Sequence, residues 1–459
     1  MNEVCTHRRS PTESTDSNIR PTFSLTSGKG GGKARDVHED YILPFRRREF
    51  LQIVGVGGVG LVAPMFLPAR VFGANERIHT AHIGVGGQGR SNLKALLPHA
   101  IAVCDVDQRH ALQASKMVTD SGMACEVYSD YRRLLERTDI DAIVISTPDH
   151  WHALQTIHAC QAGKDVYVEK PLSLTIAAGR RMVQAARDHQ RIVQTGSQQR
   201  SSDNFRRACE LVRGGVLGHV HTVHVGIAAA NHPFQKREPV PNSKPPEHLD
   251  FNQWLGPAPS VEYNELKVHY NFRFFWDYSG GQMTNWGAHH IDIAHWGMGW
   301  DNLGPKTISG SAEFHPEGWH DVSEACRITY EYPNGTQMIV GQRQADIAMG
   351  TKFIGEHGWI FVDRGKLQAS DPELLKLELG GAYPKLRQSK NHHEHFLECI
   401  KSRELPICDV EIGHRTATAC HLGNIAIRTG QVVHWDHEAE QIQGDKNLEH
   451  WVDRKDREF

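Results

Sequence analysis

The sequence lacks patterned cysteine. Its nine cysteines, at positions 5, 104, 125, 160, 209, 326, 399, 408 and 420, are scattered along 459 residues, and no C-x-x-C pair occurs. Zinc sites and disulfide frameworks need cysteines at defined spacings. We therefore expect free thiols, most of them buried as small apolar groups.

An excess of charge of one sign is also missing. The 51 Lys and Arg are balanced by 54 Asp and Glu, and no long basic run follows the N-terminal segment. Nucleic-acid binding depends on clustered cations, so the sequence indicates no nucleic-acid partner. With 39% hydrophobic and 23% charged residues, the composition is typical of a soluble globular protein, and the length allows two domains.

Large apolar side chains are few in residues 1–43, which we expect to form a disordered extension. Residues 44–74 contain Arg46-Arg47-Arg48-Glu49-Phe50-Leu51, followed by an uncharged, glycine-rich run to Ala69. This segment resembles a twin-arginine export signal, which predicts export to the periplasm by the twin-arginine machinery. The alternative is a membrane anchor or an uncleaved signal, because the run is long enough to span a bilayer.

Residues 76–200 carry the pattern of a dinucleotide-binding domain. A short apolar strand at 78–83 leads into Gly84–Gly89, which has the spacing G-x-G-x-x-G, and a helix and a second strand ending at Asp105 follow. Such glycines let the backbone approach a pyrophosphate, and the acid binds the ribose hydroxyls. The predicted cofactor-binding residues here are Gly84, Gly86, Gly87, Gln88, Gly89 and Asp105. The carboxylate favours NAD because it would repel a 2′-phosphate, and Arg109 keeps NADP as the alternative.

The strand–helix alternation continues with strands predicted at 142–145, 165–168 and 191–193, and with a helix predicted to start at Ser173 as its N-cap and to end near His189. In doubly wound sheets the ligand lies beyond the carboxyl ends of the strands. This position selects as site residues Thr147, Pro148, His152, Glu169, Lys170 and Gln199. Lys170 would lie beside the nicotinamide, where its ammonium can bind a substrate oxygen and favour its negative charge.

A second reactive stretch runs from Gly281 to Trp296 and is predicted to be a helix entered through two glycines. Helical spacing places on one face Asn285, His289, Asp292 and Trp296. An amide, an imidazole and a carboxylate on one face can hold a substrate and move a proton. We expect His289 to be catalytic and Asn285 and Asp292 to contact substrate.

Together these motifs resemble the Gfo/Idh/MocA (glucose–fructose oxidoreductase / inositol dehydrogenase) family over roughly residues 78–435. The resemblance rests on Gly84–Gly89, on Ser-Thr-Pro-Asp-His-Trp-His at 146–152, on Glu-Lys-Pro at 169–171 and on Gly-Ala-His-His-Ile-Asp at 287–292. It implies an α/β protein in which a Rossmann domain precedes an α/β domain with an open, mostly antiparallel sheet. It also implies homo-oligomer contacts and NAD(P)-dependent oxidation of a sugar or cyclitol hydroxyl, or reduction of the ketone.

The family's lysine and histidine match Lys170 and His289. Four residues before the histidine the family usually has an Asp, whereas this chain has Asn285. An amide can hold a hydroxyl, but it cannot take a proton or raise a neighbouring pKa by its charge. Either His289 with Asp292 suffices as the base, or the activity differs from that of a plain dehydrogenase.

The domain boundaries follow from the change of pattern near residue 200. Residues 201–400 are predicted to form the substrate and oligomerisation domain, 401–435 to contain helices packed back on the first domain, and 436–459 to be a C-terminal tail. Arg273, within an aromatic run, is expected to bind substrate hydroxyls, because core packing would not select an arginine. The long loop at 232–248 suggests a lid or a subunit contact. The histidines of Asn391–His395 do not face one point, so we expect no metal there.

Three functions from different classes follow. The first is an exported NAD(P)-dependent oxidoreductase that acts on a CH–OH group of a sugar, cyclitol or glycoside. The second is an enzyme that cleaves or epimerises a glycoside through transient oxidation. The third is a non-catalytic sugar or NAD binder, which Asn285 keeps open. A metal hydrolase is disfavoured, because His295 lies off the face of His289 and Asp292.

Overall fold

A computed structural model describes residues 77–230, 240–380 and 385–459. The predicted N-terminal extension and the twin-arginine segment lie outside these ranges, as does part of the loop at 232–248. Within the described ranges, no helix has the length and hydropathy required to cross a membrane.

The first sheet has six parallel strands in the order β3-β2-β1-β4-β5-β6. The strands are β1 (Thr80–Ile83), β2 (Ala100–Cys104), β3 (Glu126–Tyr128), β4 (Ala142–Ile145), β5 (Asp165–Val168) and β6 (Val193–Thr195). Every residue of β1, β4, β5 and β6 is buried, as expected for parallel strands covered on both faces. This is the strand order of a Rossmann domain, and it places the strand ends that carry the predicted site along one edge.

Five helices connect these strands: α1 (Gly87–Ala95), α2 (Gln108–Asp120), α3 (Tyr131–Leu135), α4 (Asp149–Gln161) and α5 (Ile176–Asp188). The pattern predicts α5 from Ser173, but its N-cap is Thr175, whose hydroxyl accepts from the backbone N–H of Ala178. The Ser173 hydroxyl instead donates to the Thr175 carbonyl, so the chain turns before the helix begins.

The second sheet has nine strands in the order β13-β12-β11-β7-β10-β9-β8-β14-β15. They are β7 (Val220–Ile227), β8 (Thr307–Phe314), β9 (Ser323–Glu331), β10 (Gln337–Gln342), β11 (Gly350–Gly355), β12 (Gly358–Asp363), β13 (Lys366–Ala369), β14 (Val433–Asp436) and β15 (Gln441–Gln443). The β7–β10 pair is parallel and the other pairs are antiparallel, so the predicted mostly antiparallel sheet is confirmed.

Helices cover one face of this sheet. They are α6 (Asp203–Arg213), α8 (Gly281–Asn285), α9 (Gly287–Met298) and α11 (Val410–Thr429), while the short α7 (Phe251–Leu255) lies in the connection before α8. The single helix predicted from Gly281 to Trp296 is thus two helices that meet at Trp286. His289 and His290 both direct their backbone N–H groups to the Trp286 carbonyl, so α9 begins a new first turn there.

The boundary predicted at residue 400 needs correction. Helix α10 (His392–Ser402) packs through Phe396, Leu397 and Ile400 on strand residues of the first sheet, such as Val144. The return to the Rossmann domain therefore begins with α10, because its apolar face is complementary to that sheet. The histidines of this helix bind separate partners: His392 the Thr195 carbonyl, His393 the Asn92 amide and His395 the backbone N–H of Ile407.

The segment at 436–459 is also more than a tail. It supplies the end of β14 and all of β15 at the edge of the second sheet, then a 3₁₀ helix at Lys446–Trp451. Eight cysteines in the described ranges are free, seven of them buried, in agreement with the scattered spacing.

Candidate active site

The glycine loop is shaped for close backbone approach. Gly84 has φ +75°, and a Cβ added there would lie 2.7 Å from the backbone nitrogen of Thr147. A Cβ at Gly89 would lie 1.9 Å from the Gly84 carbonyl oxygen, whereas one at Gly87 would meet nothing within 4 Å. Gly84 and Gly89 therefore allow the turn and the start of α1, and Gly87 leaves open space in front of the helix N-terminus, where a phosphate can bind.

Asp105 lies beside this loop at the end of β2. Its carboxylate accepts from the backbone N–H groups of Val85, at 2.8 Å, and Asp107, at 2.9 Å. Arg109, which could favour a 2′-phosphate, is turned to Asp107, with its guanidinium 3.2 Å from that carboxylate. The carboxylate at the ribose position and the diverted arginine both fit NAD.

Ligand atoms of Asp107, His110 and His269 lie within 4.8 Å of one another, an arrangement that the sequence did not predict. Arg109 already donates to both oxygens of Asp107, so a cation would have to displace a guanidinium. His110 instead lies 3.7 Å from Asp105, and the pKa of His110 is raised mainly by that carboxylate.

A cavity of about 490 Å³ extends from the glycine loop to the α8–α9 junction. Both domains line it, and the volume is typical of a small-molecule site. Predicted site residues that line it are Gly84, Gly86, Gly87, Gln88, Asp105, Thr147, Pro148, Glu169, Lys170, Arg273, Asn285 and His289. Tertiary structure thus places the reactive stretch of the second domain opposite the strand ends of the first.

Lys170 and Asn285 make direct contact across the domains. The Lys170 ammonium donates to the Asn285 side-chain oxygen at 2.6 Å and to its carbonyl at 3.3 Å. The Asn285 amide nitrogen donates to Gln282 at 2.9 Å, which directs the amide oxygen towards the lysine. Burial lowers the pKa of Lys170 to about 8, an effect that the charge of Glu169 offsets only in part, and the neutral amide of Asn285 adds no further negative charge.

His289 lies at the same end of the cavity and is 6% exposed. Its Nδ1 has no hydrogen-bond partner among the described residues. Burial, followed by the charges of Lys170 and Arg364, holds the pKa of His289 well below its usual value. The imidazole is therefore neutral near pH 7 and can accept a proton.

The structure does not place Asp292 in the cavity. It is 0% exposed, and both its oxygens accept from the Arg200 guanidinium at 2.8 to 3.0 Å, while Thr416 donates to one of them. Arg200 follows β6, and Thr416 lies on α11. Asp292 therefore anchors α9, and with it His289, instead of binding substrate.

Three further predicted residues lie outside the cavity lining. His152 bridges two strand ends, with its ring nitrogens 2.9 Å from the Thr147 carbonyl and 2.8 Å from the Pro171 carbonyl, so it braces the segments that carry the site. Gln199 is buried away from the cavity, and its amide has no hydrogen-bond partner among the described residues. Gly89 is covered by the turn itself.

Sequence reasoning missed three residues at the reactive end. Asp149 and Trp286 belong to motifs already singled out, and both line the cavity. Asp149 accepts from the Ser279 hydroxyl at 2.5 Å, and burial raises the pKa of Asp149. Arg364 lies in the turn between β12 and β13, far from any motif, and only the fold brings it to the cavity.

Comparison with known families gives two matches. Residues 78–197 match the NAD-binding Rossmann fold of the Gfo/Idh/MocA oxidoreductase family, and residues 203–459 match the C-terminal alpha/beta domain of that family. The second match alone covers more than half of the chain. This chain belongs to the Gfo/Idh/MocA family. The predicted NAD-dependent oxidoreductase class and two-domain architecture are thereby confirmed.

The curated relatives of this chain differ in how much of their length aligns with it. It is 25% identical over 369 residues to the uncharacterized oxidoreductase YrbE of Bacillus subtilis, across 78% of this chain and 92% of that protein. It is 30% identical over 203 residues to a glycosyl hydrolase family 109 protein of Saccharopolyspora erythraea. That match spans 39% of this chain and 44% of the relative, so it covers less than half of each protein.

Solved structures share the fold at low identity. The WlbA dehydrogenase from Bordetella pertussis, in complex with NADH and UDP-GlcNAcA, aligns with a TM-score of 0.59 at 16% identity, over 79% of this chain and 99% of that one. The scyllo-inositol dehydrogenase from Lactobacillus casei, with NAD(H) and scyllo-inositol, aligns with a TM-score of 0.55 at 18% identity, over 78% and 99%.

Replacing Asn285 with Asp would place a carboxylate where the amide oxygen now lies 2.6 Å from Lys170. The opposite charge should raise the pKa of Lys170 from about 8 by about one unit or more. A protonated Lys170 is needed to stabilise negative oxygen, so activity of the natural protein should fall above about pH 8. In Asn285→Asp that fall should move to higher pH, as measured by kcat/KM against pH.

The control is Asn447→Asp, which adds the same charge at an exposed position outside the cavity. Its profile should match that of the natural protein. An unchanged alkaline limb in Asn285→Asp would show that Lys170 does not govern that limb.

Proposed function

We propose that this protein transfers a hydride between NAD and a hydroxyl-bearing or ketone carbon of a sugar, cyclitol or glycoside. The observation that carries this proposal is the pairing of a neutral His289, with an unpartnered nitrogen, and the Lys170 ammonium in the cavity that the glycine loop lines. A proton acceptor and an oxygen-binding cation at one end of a dinucleotide site are what alcohol oxidation requires.

His289, Lys170 and Asn285 have distinct roles in the proposed reaction. His289 accepts the hydroxyl proton, and Lys170 donates a hydrogen bond to the same oxygen as negative charge develops on it. The Asn285 side chain holds Lys170 in position without supplying charge. NAD, held by the glycine loop and Asp105, supplies the hydride acceptor when bound. In the reverse direction, His289 returns the proton to the ketone oxygen.

The substrate class is supported by the cavity and by fold relatives. The aromatic residues Trp286, Tyr270 and Phe272 line the reactive end beside polar groups, which suits the apolar faces and hydroxyls of a ring. The two solved structures described above hold a nucleotide sugar and an inositol.

A second candidate is cleavage or epimerisation of a glycoside through transient oxidation. It is favoured by the curated glycosyl hydrolase family 109 relatives and by an alpha-N-acetylgalactosaminidase of Shewanella oneidensis, which is 34% identical over 27% of this chain. Such a reaction uses the same hydride and proton transfers and then returns the hydride, so the cofactor shows no net change.

The deciding experiment uses purified protein. We expect NAD to be released on denaturation, and a panel of sugars, cyclitols and glycosides to include a compound that generates the absorbance of reduced nicotinamide. Product without net reduced cofactor would select the second candidate. Bound ligand with no product under any condition would contradict both and favour a binding protein.

His289→Ala should lower turnover by roughly 10²- to 10⁴-fold while NAD stays bound, because the proton acceptor is lost but the glycine loop is intact. The control is His221→Ala, an exposed strand residue outside the cavity, which should leave turnover unchanged. Turnover that survives in His289→Ala would remove the histidine from the proposed role.

We also propose that the protein is exported to the periplasm by the twin-arginine machinery. The support is Arg47-Arg48-Glu49-Phe50-Leu51 before the uncharged run to Ala69. This route carries folded proteins, which suits an enzyme that binds its cofactor before export. Changing Arg47 and Arg48 to Lys should retain the protein in the cytoplasmic fraction, whereas Arg46→Lys should not. Periplasmic recovery of the double variant would contradict the proposal.

Homo-oligomer contacts are proposed for the face of the second sheet that the helices leave open. The support is that Ile308 is the one buried residue of β8 and that the strand ends at the exposed Phe314. The molar mass of the purified protein in solution tests this.

A further inference from the structure

Arg364 lies beside the reacting groups without a protein anion to bind. It lines the same cavity as His289, and its guanidinium carbon is 4.7 Å from the centre of the Trp286 ring. Within the described ranges, no carboxylate lies within 4.0 Å of it. The aromatic ring orients the planar guanidinium and leaves its N–H donors available at the cavity.

Arg273 has the same property on another wall of the cavity. Its guanidinium carbon lies 3.9 Å from the Tyr270 ring centre and 5.0 Å from that of Phe272, and it donates to the Tyr270 carbonyl. No carboxylate of the described chain lies within 4.0 Å. Burial lowers the pKa of Arg273, and the more distant Asp149 offsets this only in part.

Several buried or half-buried arginines outside this cavity pair with carboxylates. Arg200 pairs with two carboxylates, Arg180 with Glu411 and Glu440, and Arg403 with Asp165. Arg273 is half-buried and Arg364 is exposed, and both line one cavity without a carboxylate partner, so together they offer positive charge to an anionic ligand there.

The two carboxylates near Lys170 do not pair with these arginines. Asp149 accepts from Ser279, and Glu169 accepts from the amides of Asn92, at 3.0 Å, and Gln198, at 3.1 Å. Both are held by neutral donors, and neither is within ion-pair distance of Arg273 or Arg364. The cofactor's pyrophosphate has separate donors at the glycine loop and the start of α1.

We propose that the substrate carries an anionic substituent, a carboxylate or a phosphate, which Arg364 and Arg273 bind while Lys170 and His289 act on its hydroxyl. This inference rests on the function proposed above and narrows its substrate class to acidic sugars. Arginine is suited to the task because its parallel N–H donors match the two oxygens of either group.

The test compares neutral sugars, uronic acids and sugar phosphates as substrates of the NAD-loaded protein. We expect acidic sugars to have the higher kcat/KM, with a KM that rises with salt because the attraction is electrostatic. Arg364→Gln and Arg273→Gln should each lower kcat/KM for the acidic substrate by roughly 10- to 100-fold, the range for one charge-assisted contact. In both variants the preference for acidic over neutral sugars should fall, while the affinity for NAD, which the glycine loop binds, should change by less than about twofold in Arg364→Gln.

The matched control is Lys366→Gln, at the first residue of β13 after the turn that holds Arg364 and outside the cavity lining, which should behave like the natural protein. Comparing uronic acids with sugar phosphates as substrates identifies which anion is bound. Equal use of neutral and acidic sugars, or loss of NAD affinity in Arg364→Gln, would overturn the inference.

Calorimetry separates this inference from the proposed function. If no sugar is turned over, the proposed function fails. Titration of uronate, sugar phosphate and neutral sugar into the NAD-loaded protein still tests whether the cavity prefers an acidic ligand. Arginine-dependent binding of an acid would support it, and no preference for acids would overturn it.

Discussion

The active site depends on one buried ion pair between the domains. Arg200, at the end of the Rossmann sheet, forms an ion pair with Asp292 on α9. The two residues are 1% and 0% exposed. Breaking such a pair typically costs about 3–5 kcal/mol, because a charge would be left buried without a partner. Thr416 on α11 joins the same carboxylate, so three elements converge there. His289 lies one turn before Asp292, and its distance from Lys170 is therefore set by this anchor.

With the geometry held, the chemistry is decided by which groups carry charge. Asn285 keeps the hydrogen bond to Lys170 but not the negative charge that the family usually places there. Lys170 therefore has a pKa lowered to about 8 by burial, and His289 is held neutral by burial and by nearby cations. Lys170 therefore stays protonated near pH 7 and can stabilise negative charge on oxygen, while the neutral His289 can accept the hydroxyl proton. Arg273 and Arg364, which line the same cavity without a carboxylate partner, add positive charge there, which is the basis for expecting an acidic substrate.

Much of the fold was predictable because the relevant patterns are local. Residues 142–145 and 165–168 were predicted as strands and have those bounds in the structure, whereas the strand predicted at 191–193 lies at Val193–Thr195. Alternation and apolar runs are visible over a few residues, and glycines mark the turns. The errors lie where a side-chain contact decides the outcome, as at the start of α5, where the Ser173 hydroxyl binds the Thr175 carbonyl.

The site residues also fall into two groups: those that local sequence position reveals and those whose role depends on distant contacts. Residues at strand ends or in the glycine loop were found from position, because parallel strands present their carboxyl ends to one crevice. Asp292 was assigned to substrate because helical spacing shows which residues share a face. That spacing does not show what the face meets, and here it meets Arg200, which is 92 residues earlier in the chain.

The sequence by itself determined the Rossmann domain, the NAD site, the catalytic pair Lys170 and His289 as candidates, and the absence of the usual acid at Asn285. Each of these rests on residues a few positions apart, whose spacing has one structural meaning. Tertiary structure alone decided that Asp292 and His152 are braces, that Asn285 binds Lys170 directly, and that Arg364 faces the reacting groups. Those facts depend on contacts between residues far apart in the chain, and such contacts exist only once the two domains have packed together.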